Sequence, residues 1–414
     1  MIRPTTALAF GVAAAAAAGW LLRSREADSV PKPLPASATA PEVPRSSRPM
    51  LFRSLDQSDR EVVRMNARAW RAELIRSDAA LSDAIRLLTD SATNIRVRRS
   101  LAIILGSLPG ERGKKAVLGA LQAGRLEGLE RAAILALGIH ALEDGREFAR
   151  DDMPYSVEAA EGLVVYVRDP IPDAGVREEL ARRLAEAPEP AARHAAALVL
   201  RDSAVFPDVR EALLSRVGVE LSSEAAAESA AAVAGWARRA PPEEGDRPRI
   251  LARITDALPG GDELFRFRLL SSFGEVAMKP AESARVRTLL EAPDPDLRAF
   301  AADVMGRRLE AHPGRDLEAV PALLRTLGGD TSDAVREAAA LSLGRALGDP
   351  RALEGLVRSL RADPDWEVRA AAARALASHP APASVQALQE AASSDPRSEV
   401  RQAATRSLAD ARLK

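Results

Sequence analysis

Three stretches near the C-terminal end decide the fold: DTSDAVREAAALSLG at residues 330–344, DPDWEVRAAAARALA at 363–377 and DPRSEVRQAATRSLA at 395–409. Each contains a Val-Arg pair, then a run rich in Ala, with a further apolar residue eight positions after the Val. Val335, Ala339 and Leu343 are spaced by four residues and therefore share one face of a helix. The Asp that opens each stretch can cap a helix, and Pro favours a first helical turn. We therefore predict one helix type, repeated.

The same pattern recurs through most of the chain. If the first apolar residue of each copy is its reference position, ten copies align at intervals of 28 to 39 residues. The reference positions are Val97, Leu129, Val157, Ala192, Ala226, Phe265, Leu297, Val335, Val368 and Val400. Arg follows the reference position in seven copies, and Gly stands nine residues after it in six: Gly106, Gly138, Gly235, Gly274, Gly306 and Gly344. The copies at Val157, Ala192 and Ala226 match weakly and are placed mainly by spacing.

A second amphipathic helix precedes each of these helices, as Leu353, Leu356 and Leu360 show for one copy. A helix pair of roughly 33 residues cannot bury its apolar face alone, so it has to stack on its neighbours. The sequence therefore predicts an all-α fold, a right-handed α-solenoid of about ten helix pairs over residues 51–414.

These residues resemble the HEAT repeat, and most closely its short bacterial subtype, the phycobilisome-lyase HEAT-like repeat. The shared features are the Asp before the second helix, the Val-Arg pair, the Ala run and the Leu-Gly pair eight and nine positions on. The resemblance covers roughly residues 80–414. It implies an armadillo-like helical array, but it does not define a function, because this repeat serves many unrelated proteins.

Composition excludes several classes of function. Hydrophobic residues make up 47% of the 414 residues but aromatic residues only 3%, so the apolar half is mostly Ala and Leu, which favours helix. The 58 basic and 59 acidic residues nearly balance, whereas nucleic-acid-binding proteins usually carry a basic excess. The chain contains no Cys, which excludes disulfides, thiol catalysis and cysteine zinc sites.

The N-terminal region is expected to lie outside the solenoid. Residues 7–22, ALAFGVAAAAAAGWLL, are uncharged and would span about 24 Å as a helix. We interpret residues 1–25 as a membrane anchor or, alternatively, as a signal peptide cleaved near Ala16–Ala18; an ordinary soluble helix is a third interpretation. Residues 26–50 contain six prolines between Pro31 and Pro49, which predicts a disordered, semi-rigid linker.

The sequence shows no catalytic or cofactor-binding motif that we recognise. The family resemblance includes an iron hydroxylase group built on His-Glu pairs, but none of the four histidines here, His140, His194, His312 and His379, is followed by Glu. The Gly106–Lys115 stretch has Leu108 and Lys115 where a phosphate-binding loop needs Gly and Ser or Thr. Paired carboxylates such as Glu178 and Glu179 fit solvated helix faces. We therefore expect no enzymatic activity, no cofactor and no metal.

The recurring Arg is interpreted as structural, with partner binding as the alternative. We expect it to pair with the Asp that precedes its own helix and so to form a series of contacts along the solenoid. The expected pairs are Asp330 or Asp333 with Arg336, Asp363 or Asp365 with Arg369, and Asp395 with Arg401.

Two segments offer candidate partner-binding residues. Residues 91–115 contain a basic cluster in which Glu111 is the one acidic residue; its members include Arg96, Arg99, Arg112, Lys114 and Lys115. Such a patch could bind an acidic partner or lipid headgroups, and a solvated face is the alternative. The irregular segment from Glu143 to Pro172 holds both tyrosines, Tyr155 and Tyr166, which favour interfaces; a degenerate repeat that bends the solenoid is the alternative.

Three functional hypotheses follow. The first is a non-enzymatic, membrane-tethered scaffold that binds an unidentified protein along its concave face, with the solenoid on the exported side of a bacterial cytoplasmic membrane, or secreted into the periplasm after signal cleavage. The second, implied by the resemblance, is a bilin lyase-like or lyase-accessory protein. The third is nucleic-acid or lipid-headgroup binding through the basic cluster, with nucleic acid disfavoured by the charge balance.

Overall fold

Helices account for all regular secondary structure in the computed structural model, which describes residues 60–143, 156–166, 169–217, 219, 224–241, 245–276 and 278–412. These ranges hold twenty α-helices, three 3-10 helices and no strand. The α-helices are α1 (Arg60–Arg76), α2 (Asp78–Thr89), α3 (Ile95–Gly106), α4 (Glu111–Gln122), α5 (Glu130–Glu143), α6 (Val157–Tyr166), α7 (Ala174–Glu186), α8 (Pro190–Leu200), α9 (Pro207–Arg216), α10 (Glu224–Arg239), α11 (Arg247–Ala257), α12 (Glu263–Gly274), α13 (Pro280–Arg287), α14 (Pro295–Ala311), α15 (Ala319–Gly329), α16 (Asp333–Leu343), α17 (Pro350–Ala362), α18 (Trp366–Leu376), α19 (Pro382–Ser394) and α20 (Ser398–Arg412).

Eighteen of these helices form nine consecutive pairs. We call the first helix of each pair an A helix (α2, α4, α7, α9, α11, α13, α15, α17 and α19) and the second a B helix (α3, α5, α8, α10, α12, α14, α16, α18 and α20). Every B helix packs against the next B helix, and most A helices also pack against their own B helix. The predicted all-α solenoid is confirmed, and its right-handed sense stays a prediction.

The weak copies of the sequence pattern have different outcomes. Ala192 and Ala226 are fully buried in the B helices α8 and α10, so spacing alone placed them correctly. Val157, in contrast, begins α6, which is an additional helix. It packs against α3, α5 and α8, although these three B helices already contact one another in succession. The described residues therefore contain nine helix pairs, with α1 before them and α6 inserted.

Five of the six recurring Gly residues lie where an added Cβ would collide with the next B helix. A Cβ atom on Gly138 would lie 2.7 Å from Val199 Cγ2, and one on Gly344 would lie 2.9 Å from Ala375 Cβ. Gly106, Gly274 and Gly306 meet the following B helix in the same way, whereas Gly235 does not. Alanine occupies many of the other positions between successive B helices, for example the fully buried run 371–373 of α18. We call this contact zone the small-residue seam. Small residues thus set the distance between successive B helices.

The N-terminal predictions lie outside the described residues. These are the membrane anchor or signal peptide at residues 1–25 and the disordered linker at residues 26–50, and both stay predictions. Among the described helices, none combines the length and the apolar composition needed to cross a membrane.

Replacing Gly306 by Ala should destabilise the fold. The new Cβ would lie 2.8 Å from the backbone Cα of Ser342 and 2.6 Å from its Cβ, so α14 and α16 have to move apart. We expect a loss of about 1–3 kcal/mol in the free energy of unfolding, measured by urea denaturation. Gly119→Ala in α4 is the matched control, because no atom lies within 4 Å of the added Cβ. This control should gain about 0.5–1 kcal/mol, and equal effects of the two changes would contradict the packing interpretation.

Candidate partner-binding surface

The recurring Arg of the B helices forms a series of ion pairs, which we call the B ladder. Arg266, Arg298, Arg336 and Arg369 contact Asp294, Asp330, Asp363 and Asp395 respectively, at N–O distances of 2.7–3.0 Å. In the last three pairs both Nε and Nη2 donate to the carboxylate, in the bidentate geometry that makes such pairs strong. Each Asp belongs to the next helix pair. The expected pairing with the Asp of the same repeat is therefore wrong.

The backbone explains why the partner is the next Asp. Arg336 donates through Nη1 to the carbonyl oxygen of Asp330, at 3.0 Å, and Arg369 donates in the same way to Asp363, at 2.9 Å. The Asp of the same repeat therefore contacts the Arg through its main-chain carbonyl oxygen. Its carboxylate accepts from a backbone N–H of its own loop, as Asp330 does from Ser332, and faces the preceding Arg. One guanidinium therefore joins two successive layers.

These contacts move the pKa values of both partners. The hydrogen bond from Arg298 lowers the pKa of the Asp330 carboxyl below its ordinary value, although burial acts in the opposite direction. The hydrogen bonds to Asp363 and Asp395 raise the pKa values of Arg336 and Arg369. The charged forms of both partners are therefore the forms that the fold stabilises.

A second series of contacts, which we call the A ladder, connects A helices and was missed in the sequence. Lys114 contacts Asp173 at 2.7 Å, Arg210 contacts Asp246 at 3.1 Å, and Arg247 contacts Glu282 at 3.3 Å. A longer contact joins Arg177 and Asp208, at 3.9 Å. In each case a basic residue of one A helix reaches an acidic residue at the start of the next. In the sequence, these contacts are marked by an acidic residue before or within the first turn of an A helix. The number of residues between this acid and its basic partner varies, so the sequence shows no repeated pattern for them.

The structure divides the predicted basic cluster. Arg96 and Arg99 lie in the first turn of α3, whereas Arg112, Lys114 and Lys115 lie in the first turns of α4. A short loop joins these two packed helices, so their first turns lie at opposite ends of a hairpin about 18 Å long. The residues therefore do not form one continuous patch.

The individual members of that cluster differ in exposure. Lys114 is only 8% exposed, and its ammonium group contacts both Glu111 and Asp173. Burial alone would lower the Lys114 pKa, but the hydrogen bonds to these carboxylates raise it. Lys114 is thus a member of the A ladder, with its ammonium group paired inside the fold, and partner binding by the cluster stays a prediction. Arg112 is half exposed and pairs with Asp78, while Arg96, Arg99 and Lys115 are exposed.

The tyrosine segment is only partly described. Tyr155 lies outside the described residues, and Tyr166 ends α6 with a side chain that also lies outside them. The rest of α6 packs against α3, α5 and α8. Its Glu161 contacts Arg131 of α5 at 2.6 Å and approaches His194 of α8 at 3.9 Å. Partner binding by the two tyrosines stays a prediction.

Shallow grooves lie between neighbouring layers of the described solenoid. One groove of about 500 Å³ lies between the loops that precede α15 and α17, and it is flanked by Leu317 and Leu347, which are 74% and 71% exposed. A second of about 450 Å³ lies between α15 and α17, and a third of about 490 Å³ lies between α18 and α20. Such grooves suit contacts along an extended partner.

A group of three carboxylates stands out among the described residues. Oxygen atoms of Asp333, Asp365 and Glu367 lie within 4.8 Å of one another. Close to them, the pKa of Glu337 is raised, first by burial and also by the charges of Glu367 and Asp365, against the effect of Arg374. Arg374 contacts Glu337 at 2.9 Å, so Glu337 itself is paired with a basic side chain.

Comparisons with known proteins agree with this architecture. A family model for HEAT repeats matches residues 283–377 and 347–409, both in the C-terminal third. No curated protein sequence matches the chain. The HEAT assignment is supported where the model matches, and the phycobilisome-lyase subtype stays a prediction.

Solved solenoids are similar in fold. Kap121p bound to Pho4p has a TM-score of 0.56 at 14% identity, over 88% of this chain and 41% of that one. Kap95p in complex with RanGDP has a TM-score of 0.53 at 14% identity, over 89% of this chain and 55% of that one. Kap121p bound to the C-terminus of Cdc14p, where it is called a karyopherin, has a TM-score of 0.52 at 13% identity, over 88% and 42%. The chain thus spans about half the length of these solenoids, and the similarity concerns the fold.

Removing one carboxylate of the B ladder should destabilise the fold more than removing an exposed one. Asp363→Ala leaves the Arg336 fork, which is 12% exposed, without its partner. We expect a loss of about 1.5–3 kcal/mol in the free energy of unfolding by urea denaturation. Glu390→Ala is the control, because its pair with Arg361 is nearly half exposed on both sides, and little change is expected. A loss for Glu390→Ala as large as that for Asp363→Ala would contradict a special role of the ladder.

The B ladder should also weaken in acid. Because the folded pKa of Asp330 is lowered, its contribution is fully present above the unfolded pKa of about 3.9 and is lost as pH falls through the folded value. Stability, measured by thermal unfolding between pH 6 and pH 2.5 (about the range over which an Asp titrates), should fall less steeply for Asp330→Asn than for the wild type. Glu354→Gln on the exposed side of α17 should keep the wild-type slope. Identical slopes for all three proteins would count against the pairing.

Proposed function

We propose that the chain is a non-enzymatic scaffold that binds another protein along its stacked helices. The observation that carries this proposal is the continuous B stack, in which each of nine helices contacts the next. The HEAT-type solenoid itself suggests a protein-interaction role, because stacked repeats offer a long surface of many small contact areas. The shallow grooves between layers support the same use.

We further propose that the scaffold is tethered to the bacterial cytoplasmic membrane by residues 1–25 and lies on its exported side, with residues 26–50 as spacer. Support comes from the sequence: an uncharged segment at residues 7–22 is followed by a proline-rich linker. Secretion into the periplasm after signal cleavage is the alternative. The partner in either case is an unidentified protein.

Charge placed within residues 7–22 should release the protein from the membrane. Each Arg near the centre of a membrane helix costs about 2.5–3.5 kcal/mol on insertion scales, so Ala13→Arg with Ala15→Arg should move the full chain from the membrane fraction. Ala38→Arg in the linker is the matched control and should leave the distribution unchanged. Protease added to intact spheroplasts should cleave the wild-type solenoid. Mass spectrometry of the N-terminal peptide of the mature protein distinguishes an uncleaved anchor from a cleaved signal peptide. A wild-type chain that stays in the cytosol would contradict the tether.

The scaffold function is tested by cross-linking in native cells. We expect one protein at fixed stoichiometry, with cross-links to residues of several consecutive helix pairs. Purification with a bound chromophore would favour the bilin lyase-like alternative, which at present rests on sequence resemblance. Purification without any protein partner would contradict the scaffold.

A further inference from the structure

Arg401 of α20 occupies the same register position as the arginines of the B ladder. Its Nη1 donates to the carbonyl oxygens of Asp395 and Pro396, at 2.7 Å and 3.1 Å. Arg369 of α18 makes the same two contacts with the corresponding carbonyl oxygens of its own repeat, at 2.9 Å and 3.2 Å. The guanidinium group of Arg401 is therefore held in place in the same way as that of a complete ladder pair.

The other edge of this guanidinium group distinguishes Arg401 from the ladder. In Arg298, Arg336 and Arg369, Nε and Nη2 together donate to one carboxylate of the following layer. No described helix follows α20, and Nε and Nη2 of Arg401 meet no acceptor within the described part of the chain. Three copies of this fork, each in the same pose, bind a carboxylate. They identify the chemical group that the fourth fork is placed to bind.

The surface beside the Arg401 fork also repeats the surface on which B helices stack. Four and eight positions after the ladder Arg, α16 has Ala340, which is fully buried, and Gly344, whose added Cβ would touch α18. In α20 these positions hold Thr405 and Ala409, which are exposed. The Thr405 hydroxyl donates to the carbonyl oxygen of Arg401 at 2.8 Å, so another chain can cover it without leaving this donor unpaired. The backbone of another protein can therefore approach α20 closely.

We propose that the face of α20 formed by Arg401, Thr405 and Ala409 binds the start of a helix in the partner protein, and that the Asp capping this helix supplies the carboxylate for the Arg401 fork. We call this face the terminal fork. Asp363 shows the chemistry inside the solenoid: it accepts from a backbone N–H two residues later, and both of its oxygens accept from the preceding Arg. This proposal rests on the scaffold function and specifies how its partner is recognised.

The first test uses the full chain and a fluorescent synthetic peptide with the sequence of residues 363–377, which contains the Asp that binds the Arg336 fork in the solenoid. Binding is followed by anisotropy at low salt, where charge pairs are least screened. The same peptide with Asp363→Asn is the control. We expect the Asp peptide to bind and the Asn peptide to bind about tenfold more weakly, because the amide has no charge and offers one acceptor atom instead of two.

Substitutions in the full chain then locate the binding site. Arg401→Met should weaken binding of the Asp peptide about tenfold. Arg401→Lys should restore little of it, because an ammonium group does not form the two parallel hydrogen bonds of the fork. Arg358→Met removes an exposed Arg from α17 and should change the affinity less than about twofold. Equal binding of the two peptides, or equal affinities of the wild type and Arg401→Met, would overturn the proposal.

Urea denaturation separates recognition from a structural role of Arg401. Arg401→Met should lower the denaturation midpoint less than Arg369→Met, because only Arg369 loses an ion pair between layers. A drop for Arg401→Met as large as that for Arg369→Met would show that the Arg401 fork already has a partner inside the fold, and it would overturn the proposal.

The two levels of proposal can fail separately. If a partner is cross-linked in cells at fixed stoichiometry and Arg401→Met does not weaken its capture, the inference about the terminal fork is wrong and the scaffold function stands. If no partner is captured by wild type or variants, the scaffold function itself is wrong. If sedimentation shows that copies of this chain associate and that Arg401→Met abolishes the association, the fork binds a second copy, and recognition of a separate partner at this face is wrong.

Discussion

The solenoid depends on an Arg that contacts two layers at once. Each Arg of the B ladder donates to a backbone carbonyl of its own repeat and to the Asp carboxylate of the next. In a single isolated layer the guanidinium group would lack its carboxylate partner. The complete contact therefore forms only when the repeats are stacked. The small-residue seam acts together with it, because Gly and Ala bring the B helices close enough for the Arg to reach the next Asp. The A ladder connects successive A helices from α4 to α13 in a comparable way.

The charge balance of the chain follows from this arrangement. Basic and acidic residues are nearly equal in number, and many of them form pairs between successive layers in the described structure. Such pairs leave little net charge for recognition.

The fold could be predicted from the sequence because its signals repeat. The Val-Arg-Ala pattern at residues 335, 368 and 400 fixed the B helices, and spacing located Ala192 and Ala226 correctly. The same reasoning made an error at Val157, because an inserted helix with a similar apolar pattern is not distinguishable by spacing. It also assigned each Asp to its own Arg, since sequence proximity does not show that a carboxylate faces the preceding layer.

The candidate surface was harder to predict. A cluster such as residues 96–115 is close in sequence, but two antiparallel helices place its members at opposite ends, and Lys114 becomes buried against Asp173. The carboxylates of Asp333, Asp365 and Glu367, in contrast, come from two successive repeats and lie within 4.8 Å of one another only because the repeats are stacked. The most direct measurement is a double-mutant cycle between Arg336 and Asp363, with Arg336→Met, Asp363→Ala and the double variant compared by urea denaturation. We expect a coupling free energy of about 1–2 kcal/mol; a coupling near zero would contradict the claim that this contact joins successive layers.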